Sequence, residues 1–187
     1  MVIVFGGSFN PPTKAHQSIM VTVKRVYPEA HILLLPVGND YHKPDLVDIK
    51  HRLAMLELLV EDMPDVTVSD LEAQGEYGGT LASLDILSKT HDDIHFLIGA
   101  DQLPYLTTWI RYTELLKRYP LIVMTRRNAP DRTLAEALFK HVEHTFHFID
   151  FDVPISSSDI RKEPSMRDQW LTEPVLDYIR KNHLYEE

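Results

Sequence analysis

The chain has 187 residues, 44% of them apolar, which suits one α/β domain with a substantial core and leaves no room for a second full domain. It contains no cysteine, which excludes disulfides and thiolate metal sites; with no membrane-length apolar run and no basic leader, a soluble cytoplasmic protein is expected. The net charge of −9 argues against a nucleic-acid coat or a membrane-surface protein, although a local cluster of cations and N–H groups can still hold a small anion.

In chain order, the apolar run Val2–Phe5 predicts a first strand, and Ala15, Ile19, Val23 and Val26 share one face of a first helix. His31–Leu35 reads as a strand, and Leu53, Leu56 and Val60, behind Arg52, as a helix. Val66–Val68 and His95–Ile98 read as strands on either side of a helix over Thr80–Lys89. Tyr112–Arg118 predicts a helix, Leu121–Met124 a strand, Thr133–His144 a helix and His147–Phe151 a last strand. Pro174–Asn182 closes a helical part that starts at about residue 156. Alternation of strands too apolar to be half-exposed with amphipathic helices indicates a doubly wound parallel sheet in a single domain spanning residues 1–187. Such sheets bind ligands beyond the carboxyl ends of their strands, which directs attention to two loops.

The first loop is Gly6-Gly7-Ser8-Phe9-Asn10-Pro11-Pro12-Thr13-Lys14-Ala15-His16. Its glycine spacing fits neither a Walker A loop nor a dinucleotide fingerprint. Two glycines still let backbone approach a phosphate, and two prolines stiffen the start of a helix. With Thr13 as N-cap, His16 falls in the first turn beside unpaired N–H groups, where it can donate to a phosphoryl oxygen as charge builds. Taken alone, the segment reads better as a plain strand-to-helix turn whose His is incidental. The last loop, Val153-Pro154-Ile155-Ser156-Ser157-Ser158-Asp159-Ile160-Arg161-Lys162, has a capping-box spacing from Ser156 to Asp159. Its hydroxyls, N–H groups and Arg161 suit a polyphosphate; alone, it also reads as a capped short helix.

Together the two loops resemble the paired motifs of the nucleotidylyltransferase superfamily. Gly7, Phe9, Pro11, Thr13 and His16 match Gly-x-Phe-x-Pro-x-(His/Thr)-x-x-His. Ile155, Ser156, Ser157, Ile160 and Arg161 match Ile-Ser-Ser-x-x-(Ile/Val)-Arg. Within that superfamily the chain is similar, over nearly its whole length, to bacterial nicotinate-nucleotide adenylyltransferase. The likeness is carried by Leu35-Pro36 through His42-Lys43-Pro44, by Arg52–Met55, and by Phe96-Leu97-Ile98-Gly99-Ala100-Asp101-Gln102-Leu103 with Trp109. Val123–Arg126, Val175–Ile179 and Leu184-Tyr185 extend it.

The resemblance implies a Rossmann-like fold and transfer of AMP from ATP to nicotinate mononucleotide, giving deamido-NAD and pyrophosphate in NAD biosynthesis. It implies that His16, with Thr13 and Lys43, serves the transferring phosphate, and that Arg161 and Ser156–Ser158 hold the outer phosphates. Gly7, Ser8, Phe9 and Ile155 would complete the ATP loops, and Gly99 and Asp101 would meet the ribose. Trp109 would stack on the pyridine ring, Thr80 would hydrogen-bond the acid group, and Arg126 (with Arg127 adjacent) would lie on the substrate side. Mg²⁺ is expected to arrive with ATP, and no nucleic-acid or membrane partner is expected.

Two departures bear on the acceptor. Thr13 stands where the nicotinate family usually has His, as in phosphopantetheine adenylyltransferases. Gly78-Gly79-Thr80-Leu81-Ala82-Ser83 replaces that family's Ser-Tyr-Thr-x-Asp-Thr and keeps only Thr80. Nicotinamide mononucleotide and phosphopantetheine therefore stand as alternative acceptors, and a non-catalytic nucleotide sensor as an alternative role. His91-Asp92 lacks the partners a two-metal phosphohydrolase needs. His141, His144 and His147 run from a helix into a strand and do not share a face.

Overall fold

The central strands are apolar throughout because helices cover them from both sides. A computed structural model describes residues 1–41, 45–75, 77–125, 132–151 and 156–186. Six strands, β1 (Val2–Gly7), β2 (His31–Pro36), β3 (Val66–Val68), β4 (Ile94–Gly99), β5 (Leu121–Thr125) and β6 (Phe146–Asp150), form one sheet. The helices are α1 (Lys14–Val26), α2 (Ile49–Val60), α3 (Thr80–Leu87), α4 (Tyr112–Arg118) and α5 (Arg132–Phe139), then α6 (Ser157–Lys162), α7 (Arg167–Trp170) and α8 (Glu173–Lys181). Every pairing is parallel, in the order β3-β2-β1-β4-β5-β6. This is the expected Rossmann-like, doubly wound single domain, and its strand order reverses between β1 and β4.

Successive residues feed opposite cores, as the two-residue period of a strand requires. Ile3, Phe5, Ile32, Leu34, Leu97 and Ile122 pack with α1, α2 and α8. Val4, Leu33, Leu35, Phe96, Ile98 and Val123 pack with α3, α4 and α5. Among the described residues, no helix is long and apolar enough to cross a membrane.

The elements depart from the sequence expectation in several places, among them the following. On α1, Val26 is 52% exposed, and Met20, fully buried, completes the core face with Ala15, Ile19 and Val23. A 3₁₀ run, Ala100–Thr108, follows β4 where no element is expected. Its buried residues Ala100, Leu103 and Leu106 recur every third position, the period of that helix rather than of an α-helix. Helix α5 stops at Phe139 rather than His144, because the polar residues beyond it have little to bury and the chain turns through a Val142 N–H to Phe139 carbonyl bond of 2.8 Å. Among the described residues, strand β6 pairs only with β5 and is half-exposed, so its ends slip by one residue from the apolar run.

Leu34 lies fully buried between β1 and β3. Leu34→Ala should cost about 3 kcal/mol, read as a lower urea midpoint at unchanged slope. A loss under about 1 kcal/mol would mean that the site collapses around the cavity.

Candidate active site

Strand β1 ends in Gly6 and Gly7 at the point where the sheet reverses. A Cβ on Gly6 would lie 2.7 Å from Phe96 Cζ of β4, so glycine is required for these strands to approach there. The loop then turns through Phe9, whose φ of 45° is left-handed, and Thr13 caps α1 with extended backbone. The Thr13 N–H donates to His16 Nδ1 at 3.0 Å, and Thr13 Oγ1 lies 2.9 Å from the same nitrogen. An Nδ1 that accepts from an amide carries no proton, so the neutral ring bears its proton on Nε2. The ring packs 5.0 Å from Phe9 and 6.0 Å from Phe5, centroid to centroid.

The expected capping box opens α6. Ser156 N–H donates to Asp159 Oδ2 at 2.8 Å, and Asp159 N–H donates back to Ser156 Oγ at 3.3 Å. This turn is bonded to the first loop. Ser157 Oγ–H donates to the Pro11 carbonyl at 2.8 Å, and Arg161 donates through Nη1 to the Asn10 carbonyl and through Nη2 to Ser158 Oγ.

Beyond β4, a Cβ on Gly99 would collide with Asp101 Oδ1, so that carboxylate folds back over the strand end. Trp109 packs edge-on against Phe96, with centroids 6.2 Å apart. Thr80 opens α3, its Oγ1 3.3 Å from the Tyr77 hydroxyl. These groups surround one crevice of about 490 Å³, a volume suited to a nucleotide-sized ligand.

Of the residues singled out from sequence, Gly7, Ser8, Phe9, His16, Thr80, Gly99, Asp101, Trp109, Ser156–Ser158 and Arg161 line that crevice. Thr13 does not. It has no exposed surface, and its amide and hydroxyl both lie against His16 Nδ1. Lys43, Arg126 and Ile155 lie outside the described residues. His91 Nδ1 sits by the Leu87 carbonyl at the end of α3, while His144 pairs with the Val142 carbonyl and the His147 ring neighbours His95.

Residues 4–163 match the cytidylyltransferase-like family. A protein of Acholeplasma laidlawii named "Probable nicotinate-nucleotide adenylyltransferase" is 38% identical, the match covering 100% of this chain and 98% of that one. Its counterpart in Helicobacter pylori is 36% identical over 84% of this chain and 89% of its own. The chain belongs to the nicotinate-nucleotide adenylyltransferases of the cytidylyltransferase-like family. The fold agrees with that of Plasmodium falciparum nicotinic acid mononucleotide adenylyltransferase complexed with NaAD. The TM-score is 0.79 at 22% identity, over 98% of this chain and 96% of that one.

The adenylyltransferase crevice has wall residues that sequence reasoning missed. Glu72, only 9% exposed, accepts from Ser83 Oγ–H at 2.7 Å through Oε1, while its Oε2 has no partner among the described residues. Burial pushes its carboxyl above the ordinary range, partly offset by the Ser83 hydroxyl. Tyr77 stands beside it, its phenol likewise pushed up by burial. Neither residue carries a motif; the only signal was an acidic residue next to apolar Leu71 after a strand.

Because the Glu72 pKa is higher in the folded than in the unfolded chain, its ionisation opposes folding. Its contribution is most favourable at low pH and declines as pH rises through the folded value. Glu72→Gln lacks that dependence, so the melting temperature of the wild type relative to the variant should fall as pH rises above the ordinary carboxylate range. Parallel curves would show that the carboxyl ionises as freely as in the unfolded chain.

Proposed function

We propose that this chain transfers AMP from ATP to nicotinate mononucleotide, releasing pyrophosphate, in the cytoplasmic synthesis of NAD. The observation that supports it most is the convergence of both phosphate loops, the Gly99–Asp101 corner and the Thr80–Trp109 wall on one crevice. A mononucleotide phosphate oxygen attacks the α-phosphorus of ATP in line. A new P–O bond forms, the bond to the β-bridging oxygen breaks, and pyrophosphate leaves. The nucleophile is already an anion, so no base is required, and the protein positions groups and stabilises charge. His16 donates from Nε2 to an α-phosphate oxygen, since its Nδ1 is held by Thr13. Arg161 and Ser156–Ser158 face the outer phosphates, Gly99 and Asp101 the ribose, and Trp109 and Thr80 the pyridine. Lys43, Arg126 and Ile155 are assigned to the same site from sequence.

Mg²⁺ suits this arrangement as a companion of the triphosphate. It retains several waters and takes its protein ligands sparingly, and no cluster of His, Asp or Glu that could hold a metal ion occurs among the described residues. Its contribution is neutralisation of phosphate charge.

Glu72 favours a second reading, in which nicotinamide mononucleotide also serves as acceptor. When ionised, a carboxyl in the crevice wall repels an acid substrate, and in either form it tolerates an amide. Pyrophosphate release with ATP and Mg²⁺ should be highest with nicotinate mononucleotide and absent with phosphopantetheine. Equal rates with acid and amide would support the second reading, and silence with all three would sink both.

His16→Ala should lower kcat by ~10²-fold or more, as loss of a transition-state donor does. It also removes one half of a capping box, costing about 1 kcal/mol, so the variant should remain folded. Near-normal turnover by the folded variant would refute the assignment.

A further inference from the structure

The first loop is held in place by a residue that belongs to neither phosphate motif. Tyr185, 175 positions away, donates its hydroxyl hydrogen to Asn10 Oδ1 at 2.7 Å. Asn10 is fully buried. Its Oδ1 also accepts from Val47 N–H at 3.2 Å, and its Nδ2 donates to the Asp45 carbonyl at 2.7 Å. The Asn10 main-chain carbonyl in turn accepts from Arg161. One asparagine thus joins the segment after α8, the chain before α2 and the guanidinium of α6.

The far end of this chain of bonds is itself fixed. Arg167 Nη2 donates to the Tyr185 carbonyl at 2.7 Å. His183 and Tyr185 both have left-handed backbone, with φ of 51° and 59°, a region disfavoured for residues other than glycine. Such conformations persist where the surroundings over-determine them. Burial pushes the Tyr185 phenol well above its usual range, so it remains a donor at neutral pH. Beneath the same loop, fully buried Arg52 donates to the Ser8 carbonyl at 3.0 Å and the Val47 carbonyl at 2.7 Å.

We propose that Tyr185 is a positioning residue for ATP: through Asn10 it fixes the Ser8–Pro11 backbone and the Arg161 guanidinium against the triphosphate. This rests on the reading of Arg161 as a triphosphate ligand. Without the hydroxyl, Asn10 Oδ1 keeps, among the described residues, only the longer bond from Val47, and a buried amide left underpaired shifts to recover its partners. The carbonyl that anchors Arg161 moves with it.

Tyr185→Phe removes the hydroxyl alone. Tyr178→Phe is the control, because the Tyr178 hydroxyl lies 3.0 Å from His51 Nδ1 and ties α8 to α2 instead. Calorimetric titration with MgATP, without acceptor, should give a dissociation constant about tenfold weaker for Tyr185→Phe, the equivalent of one hydrogen bond. Its KM for the mononucleotide should stay within about twofold of wild type, and Tyr178→Phe should bind MgATP as wild type does even if it melts earlier. Wild-type MgATP affinity in Tyr185→Phe would overturn the proposal. So would parallel losses in both variants that track melting temperature, since the hydroxyl would then serve only stability. Acceptor identity does not enter the titration, so an enzyme that bound MgATP but refused nicotinate mononucleotide would sink the acceptor assignment alone.

Discussion

Two backbone carbonyls tie opposite ends of the chain together, and the crevice takes its shape from that tie. Pro11 accepts from Ser157 across 146 positions, and Asn10 accepts from Arg161 across 151. The sheet brings the two loops near each other, but strand pairing alone would leave their relative height and angle free. A hydrogen bond to a charged group contributes about 1.5–3 kcal/mol, and a neutral one about 1 kcal/mol. The donors are also groups that face the crevice, so the free protein satisfies its own polar groups before any anion arrives. A guanidinium has five N–H donors in a planar fork and can hold a carbonyl and a phosphate together. Binding need not break what organises the loop.

The topology explains why the crevice lies where it does. Strand order reverses between β1 and β4, so the loops that follow these strands diverge to opposite faces and leave a gap. Gly6 and Gly99 stand at the two lips of that gap, and each has a neighbour where a side chain would sit: the Phe96 ring in one case, the Asp101 carboxylate in the other. The gap is therefore lined by backbone, which can approach a phosphate or a ribose closely.

Much of this was legible in the sequence, for reasons that particular residues make plain. Strand runs such as His31–Leu35 are unbroken because both faces are covered, and a continuous apolar run is a strong signal. The two loops announce themselves because Gly, Pro, Ser and His do local jobs that require those residue types. The 3₁₀ run after β4 was hidden because its three-residue period suits neither the helix nor the strand template. The burial of Thr13 was not legible, because spacing reports position along the chain and not whether a side chain reaches the surface. Glu72 and Asn10 were missed for a related reason. Their importance comes from partners 11 and 175 positions distant, which no local pattern records. Arg52 left a faint trace as a cation among the apolar positions of α2.

The histidine that starts α1 answers to two unrelated demands. One nitrogen accepts the Thr13 amide and so sets how the chain turns into the helix, while the ring lines the crevice. A residue able to serve one demand fails the other: asparagine or glutamine can close the cap but presents a different donor, and lysine presents charge but cannot accept the amide. Drift at this position is therefore blocked from two directions, and the geometry of the helix start and the chemistry of the crevice can change only together.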